Sequence, residues 1–430
     1  MTQEHTTTEQ IYGIARARED AVSPGAIESL IPTALAEAAH ADTRRAQGEV
    51  LGPLDGLVFA VKSNIDVEGI PTSSGLIPTL AAPAANDAFV VELLKAAGAV
   101  AAMTTTMAPM AIGAITESAA LGPCVNPRDS TLHAGGSSGG SGAVVGAGLV
   151  QFALGSDTMG SVRIPAAYCG VYGWLPTHGA VSARGMTPLA PSMDSVGVLA
   201  QDPRVLLDVA DTILRFDRDF PWSRDVAATP LTDYPARIAL CDWASVASES
   251  GRQAVTEVVD LMQNWGSTTV DPITFSTSVD LTPDRIRRHG LLVVEASACN
   301  VFDEPWQREL MPAAVRSLLD YAGKASAARL WQSVEELVGI RRSIRNALTH
   351  VDCLVLPTTP QSAPVIGDDP VHAADLTAWV NVAGLPAVAV PWQGTSVQLV
   401  GQPGSDRNLL HWAAKIDDYV NLQTPEVDAR

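Results

Sequence analysis

Two hydrophobic rhythms recur along the chain. Leu57-Val58-Phe59-Ala60-Val61 is an unbroken apolar run after the turn sequence Pro53-Leu54-Asp55-Gly56, and it predicts a short strand buried on both faces with Lys62 at its end. Apolar residues then recur at helical spacing over 87 to 97 (Phe89, Val90, Leu93, Leu94, Ala97), stopped by Gly98, and a second short strand follows from Ala99 to Met103. Helical stripes return over 203 to 216 (Leu206, Leu207, Val209, Ile213, Leu214) and 330 to 348 (Val334, Leu337, Val338, Ile344). The second stripe leads into a buried-strand pattern, Val351 to Leu356, ended by Pro357. Strands alternating with helices predict a single α/β/α domain whose central mixed, mostly parallel sheet is covered by helices on both faces. The first 50 residues, rich in Ala, Glu and Arg and interrupted at Pro24-Gly25, are expected to be a helical segment of two or three surface helices ahead of a main unit over 51–430.

Composition narrows the classes of function. Apolar residues make up 47% and charged residues 17%, far from the signature of disorder. A formal charge of -19 with no basic cluster repels phosphate backbones and anionic lipid, so neither nucleic acid nor a membrane is expected as a partner. Cys124, Cys169, Cys241, Cys299 and Cys353 are odd in number and widely spaced without a CxxC pair, which suits buried free thiols rather than disulfides or a metal site. The start MTQEHTTTEQ lacks the basic, then apolar, pattern of a secretory leader, and no apolar run approaches a membrane span. A cytoplasmic location is the expectation; the oligomeric state is left open, a homodimer included.

Candidate chemistry sits in a Gly/Ser block from 134 to 161. Its small residues permit close backbone approach, and Ala143 to Leu154 between its two loops is long enough for a helix and a strand. A phosphate cradle would need GxxxxGK[ST] or GxGxxG opening a helix, and neither spacing is present. Gly135-Gly136-Ser137-Ser138-Gly139 does match the GxSxG nucleophile elbow, which would need an acid and one of His178, His289, His350, His372 or His411.

A third reading uses both loops. The block GGSSGGSGAVVGAGLVQFALGSDTMGSVRIPAAYCGVYGWLPTHG, Gly135 to Gly179, resembles the signature of the amidase signature enzymes. Asn126-Pro127 upstream and Met193 to Gly197, Asp352 to Thr358, Asn381 to Pro391 and Gln398 to Asp406 downstream are similar to further landmarks in the expected order. The short region before the lysine is similar to that of compact members such as indoleacetamide hydrolases and malonamidases. The resemblance implies a serine hydrolase without metal or cofactor that cleaves a small amide, and by the same carbonyl chemistry an ester or carbamate. Lys62 would be the base, Ser137, held by a cis peptide, the relay, and Ser161, 24 positions further on, the nucleophile. It also implies an oxyanion hole of backbone N–H groups from Thr158, Met159, Gly160 and Ser161, and a substrate-facing wall of Met107, Pro109, Met110, Ile112, Gly136 and Met159. Because the resemblance extends to amidotransferase subunits, a non-catalytic or partner-dependent subunit is the alternative.

The chemistry explains these residue types. A lysine can deprotonate a serine only as a neutral amine, which requires burial against apolar walls such as the run Leu57 to Val61 supplies; otherwise Lys62 is a solvated strand-end lysine. Asp157 and Arg163 flank the nucleophile as an ion pair or as independent surface charges, and Met107, Pro109, Met110 and Ile112 suit either an apolar substrate pocket or plain core. Two positions depart from the family pattern. Met159 stands where a glycine is usual and would be strained if that position takes positive φ, and Leu175 stands where a lysine is usual.

Overall fold

The computed structural model describes all residues except 1–5, 20–23, 119, 267–268, 274, 276–280, 303–304 and 424–430. Its strands are β1 (Ile27–Leu30), β2 (Val58–Lys62), β3 (Val100–Thr105), β4 (Glu117–Ser118), β5 (Gly122–Pro123), β6 (Val125–Asn126), β7 (Asp129–His133), β8 (Phe152–Asp157), β9 (Tyr172–Leu175), β10 (Ser195–Ala200), β11 (Arg237–Cys241), β12 (Thr269–Ile273), β13 (Cys353–Pro357), β14 (Ala387–Trp392) and β15 (Thr395–Val400). Eleven of them form one sheet in the order β1-β3-β2-β8-β10-β9-β14-β15-β13-β11-β12, and β4 with β5 and β6 with β7 make two small ribbons. Helices flank the sheet, so the expected mixed α/β architecture is observed.

The pairing corrects the emphasis on parallel strands. β3, β2 and β8 are parallel, as are β13, β11 and β12, but every pair from β8 through β10, β9, β14 and β15 to β13 is antiparallel. One cause is local. β14 and β15 are joined by the two-residue turn Gln393-Gly394, both at positive φ, whose twist matches an antiparallel hairpin.

The helical reading of the first 50 residues is corrected in its middle. Helices Thr7–Glu19 and Ala34–Gln47 flank β1, which pairs antiparallel with β3 at the edge of the main sheet. Ile27, Leu30 and Ile31 have a spacing that fits either element. The edge of β3 satisfies the backbone of this segment as a strand, which decides between the two.

β2 and β8 position the site. Both are wholly buried, they lie side by side in parallel, and Phe59 stacks on Phe152 with ring centroids 5.1 Å apart across the pair. That contact sets their relative register, so Lys62 and Ser156 arrive together at the carboxyl ends of adjacent strands, the usual location of sites in sheets of this kind. One large core runs along the sheet from β3 to β11, and a second, rich in methionine and aromatic residues, packs on the alternate residues of β9, β14, β15, β13 and β11.

Candidate active site

Lys62 is fully buried, and its Nζ lies 2.7 Å from Ser137 Oγ and 2.8 Å from Ser156 Oγ. Burial drives its amine down to about 7, against the opposing pull of the Asp157 and Asp194 carboxylates. The solvated strand-end alternative is therefore not what the fold builds. Ser137 is itself fully buried, and the Gly136-Ser137 peptide is cis. Gly136 is required by space, since a Cβ there would lie 2.7 Å from the Ile115 backbone. The helix Gly139–Gly146 begins just after this loop.

The second loop returns to the first. The Ser138 N–H donates to the Ser161 carbonyl at 3.2 Å, which brings Ser161 beside Ser137, and Ser161 is half-buried where Ser137 is enclosed. Asp157, at the end of β8, organises the turn between them. Its carboxylate accepts from the N–H of Gly160 at 2.6 Å and of Val162 at 3.1 Å, and from Arg163 Nε at 3.1 Å. Both charged groups are fully buried, so the ion pair, not two surface charges, is present. Burial alone would raise the Asp157 carboxyl, but the Arg163 charge and these hydrogen bonds hold it below the usual carboxylate range. The guanidinium also donates to Gln398 Oε1, the Thr377 carbonyl and Asn381 Oδ1, and Asn381 Nδ2 donates back to Asp157.

Gly160 has φ +128, and a Cβ there would collide with the Thr377 hydroxyl. Met159 is not among the described residues with positive φ, so the strain expected at that position is absent. Its carbonyl accepts from Thr377 Oγ1 at 2.7 Å, and its side chain, 8% exposed, reaches Gly290 in the helix Pro283–Val301. It shares one buried cluster with Met107, Met110, Ile112, Leu189 and Met193. The Ala108 N–H donates to the Ser137 carbonyl at 3.0 Å, which ties the 107–112 segment to Ser137; Met110 and Ala111 take left-handed φ there. Leu175 lies in the same buried cluster, where an apolar side chain replaces a charge that would need a partner.

Other candidate groups are occupied elsewhere. His178 bonds the Pro191 carbonyl, His289 the Ser333 hydroxyl and His372 the Asp375 carboxylate, so the histidine needed by a GxSxG elbow is not joined to Ser137 by any of these. All five cysteines are free, and burial pushes the Cys124 and Cys241 thiols up to about 12, which removes them as nucleophiles at neutral pH. Among the described residues, Asp284, His372 and Asp375 bring metal-ligating atoms within 4.8 Å of one another, but Arg287 pairs with both carboxylates at 2.6 Å. Sequence reasoning missed Ser156, Asn64, Asp194 and Thr377. Ser156 was within reach, as a polar residue one position before the end of a buried strand beside the lysine strand.

The family model Amidase matches residues 12–410. A 1-carboxybiuret hydrolase subunit from Pseudomonas sp. (strain ADP) is 35% identical over 96% of this chain and 98% of its own. A glutamyl-tRNA(Gln) amidotransferase subunit from Methanosarcina barkeri (strain Fusaro / DSM 804) is 32% identical over 87% of this chain and 88% of its own. Among solved structures, a chain of a vestigial protein complex bearing on the evolutionary origins of an s-triazine catabolic enzyme superposes with TM-score 0.87 at 30% identity, covering 96% of this chain and 95% of that one.

Proposed function

The chain belongs to the amidase signature family, enzymes that hydrolyse carbon–nitrogen bonds other than peptide bonds, and from that premise we propose that it is a serine amidase working through Lys62, Ser137 and Ser161. The observation that carries the reading is the 2.7 Å contact between the Ser137 hydroxyl and a buried Lys62 amine lowered to about 7, where it can accept a proton. Lys62 accepts the Ser137 proton while Ser137 accepts that of Ser161, and Ser161 Oγ attacks the carbonyl carbon of the substrate. The charge that develops on the carbonyl oxygen faces the backbone N–H groups of Thr158, Met159, Gly160 and Ser161, with that of Gly160 shared with Asp157. The proton returns through Ser137 to the leaving amine, an acyl-Ser161 ester remains, and water attacks it by the same relay to release the acid. No step calls on a metal or cofactor.

Esters and carbamates present the same carbonyl and are proposed as further substrates. We propose that the acyl group lies against Met107, Pro109, Met110, Ile112 and Met159 beside Gly136, which would favour apolar substrates; the four of these that share one buried apolar cluster, Met107, Met110, Ile112 and Met159, support the reading. A cytoplasmic location is proposed on the free cysteines; among the described residues no helix is long and apolar enough to cross a membrane.

Labelling with a fluorophosphonate tests the assignment. Wild-type chain is expected to gain one adduct on Ser161, and Ser161→Ala to fold normally, gain none and lose hydrolysis. An adduct on another residue, or activity in Ser161→Ala, overturns it. An isolated chain that is folded yet unlabelled supports the partner-dependent alternative.

A further inference from the structure

Among the described residues, Lys62 Nζ has three hydrogen-bonding partners: Ser137 Oγ at 2.7 Å, Ser156 Oγ at 2.8 Å and the Ser156 carbonyl at 3.4 Å. A neutral amine carries two N–H bonds and one lone pair in a tetrahedral arrangement. When the two N–H bonds point at the two oxygens of Ser156, the lone pair is left pointing at Ser137. Once a proton arrives, the three N–H bonds of the ammonium meet the same three oxygens. Both protonation states are thus satisfied without movement.

The Ser156 hydroxyl must then accept from Lys62 and donate elsewhere. Its neighbour is the Asn64 amide, 3.1 Å away, and both residues are buried. With Nδ2 toward Ser156, the serine oxygen accepts from Asn64 and its own proton is left to the Lys62 lone pair; the other end of the Asn64 amide is buried without a partner in either orientation. Turning the amide by a half rotation puts Oδ1 against Ser156. The serine proton then goes to Oδ1, its oxygen accepts from Lys62, and the lone pair is released to Ser137.

Resting on the Lys62, Ser137, Ser161 reading, we propose that Ser156, held by Asn64, is a positioning residue that aims the Lys62 lone pair at Ser137 and receives the ammonium formed when the proton moves. In the relay the Ser161 O–H bond breaks as the Ser137 oxygen takes that proton, and the Ser137 O–H bond breaks as Lys62 takes its proton. Ser156 exchanges none. The charged groups around Lys62 are Asp157, which is neutralised by Arg163, and Asp194, which accepts from Thr158 Oγ1 and the N–H groups of Leu189 and Ala190. Substitution at 156 removes none of them.

The test follows the rate of fluorophosphonate labelling of Ser161 against pH, for wild type, Ser156→Ala, Ser156→Cys, Ser156→Thr and Asn64→Ala, with Lys62→Ala alongside. Loss of an acceptor to a charged group predicts labelling about 10- to 100-fold slower in Ser156→Ala and Ser156→Cys. It also predicts a rising limb moved down by about one pH unit, because the ammonium is less well held. Ser156→Thr, which keeps the hydroxyl, restores rate and limb, and Asn64→Ala shifts both in the same direction by less. Wild-type rate and limb in Ser156→Ala and Ser156→Cys overturn the proposal, as does slowed labelling with an unmoved limb, which a merely structural role would give. If Ser156→Ala does not fold, Ser156→Cys and Asn64→Ala decide by the same criteria. Lys62→Ala labelled at the wild-type rate brings down the triad reading itself, whatever happens at 156.

Discussion

Lys62 Nζ and Ser137 Oγ stand 2.7 Å apart in a pocket where neither residue is exposed to solvent. Burial, which destabilises the charged amine, brings Lys62 down to about 7, so the fraction able to accept a proton grows as pH rises through that value. Hydrolysis is expected to rise along one limb centred near pH 7 and to be indifferent to chelators. Lys62→Arg keeps a positive charge that cannot be removed near neutrality, and a loss of at least about 100-fold is expected, equal to that of Lys62→Ala. Initial rates from pH 5 to 9 check this, and a flat profile contradicts it.

The same depressed amine has a consequence for stability. Between about pH 7 and the unfolded value near 10.5, the unfolded chain binds a proton at Lys62 that the folded chain does not, so folding strengthens as pH rises across that window. Lys62→Met removes the titrating group. The stability of the methionine variant relative to wild type is therefore expected to be greatest at pH 7 and below and to shrink steadily toward pH 10. Urea denaturation at three pH values measures the difference, and a constant offset would show that the lysine is not depressed.

Met159 packs on Gly290 rather than occupying a strained turn. Met159→Gly is expected to lose about 2–4 kcal/mol, since a buried methionine leaves a cavity. Because its cluster includes Met107 and Met110, KM for a bulky acyl donor should fall while that for a small one stays constant. An unchanged Tm contradicts the packing, and a uniform change in KM assigns Met159 to the core alone.

Arg163 makes its bonds to four other residues from a fully buried position, and Asp157 would be left charged and enclosed without it. Arg163→Met is expected to cost about 3–5 kcal/mol, with recovery of part of it in the double variant Asp157→Asn/Arg163→Met. Chemical denaturation of the three proteins tests this, and an additive double variant refutes the coupling.

The two arginines nearest the signature block are already paired with carboxylates of the chain, Arg184 with Glu92 as well as Asp217. Arg163 is occupied as described, and Arg184 bonds Asp217 at 2.8 Å. An aryl amide is therefore expected to show a higher kcat/KM than malonamate, a difference that the overall charge of -19 should enlarge at low salt. The opposite order would mean that a cation elsewhere faces the substrate.

By itself the sequence determined the elements that local pattern controls. The apolar runs ending at Lys62 and at Pro357 are strands, and the helical stripes at 87–97 and 203–216 are helices over Phe89–Ala96 and Pro203–Ile213, because burial on one face or two imposes its period on adjacent residues. The resemblance of the two Gly/Ser loops to the amidase signature likewise implied Ser137 and Ser161 as candidates. Tertiary structure alone decided contacts between residues distant in sequence. Ser156 meets Lys62 across 94 positions through the register of two strands, and Arg163 meets Asn381 and Gln398 across 218 and 235. It also decided that Ile27–Leu30 is an edge strand, that the centre of the sheet is antiparallel, and that Met159 turns inward to Gly290. Periodicity reports which face of an element is buried; it carries no information on which other element covers that face, and every one of these outcomes depends on that choice.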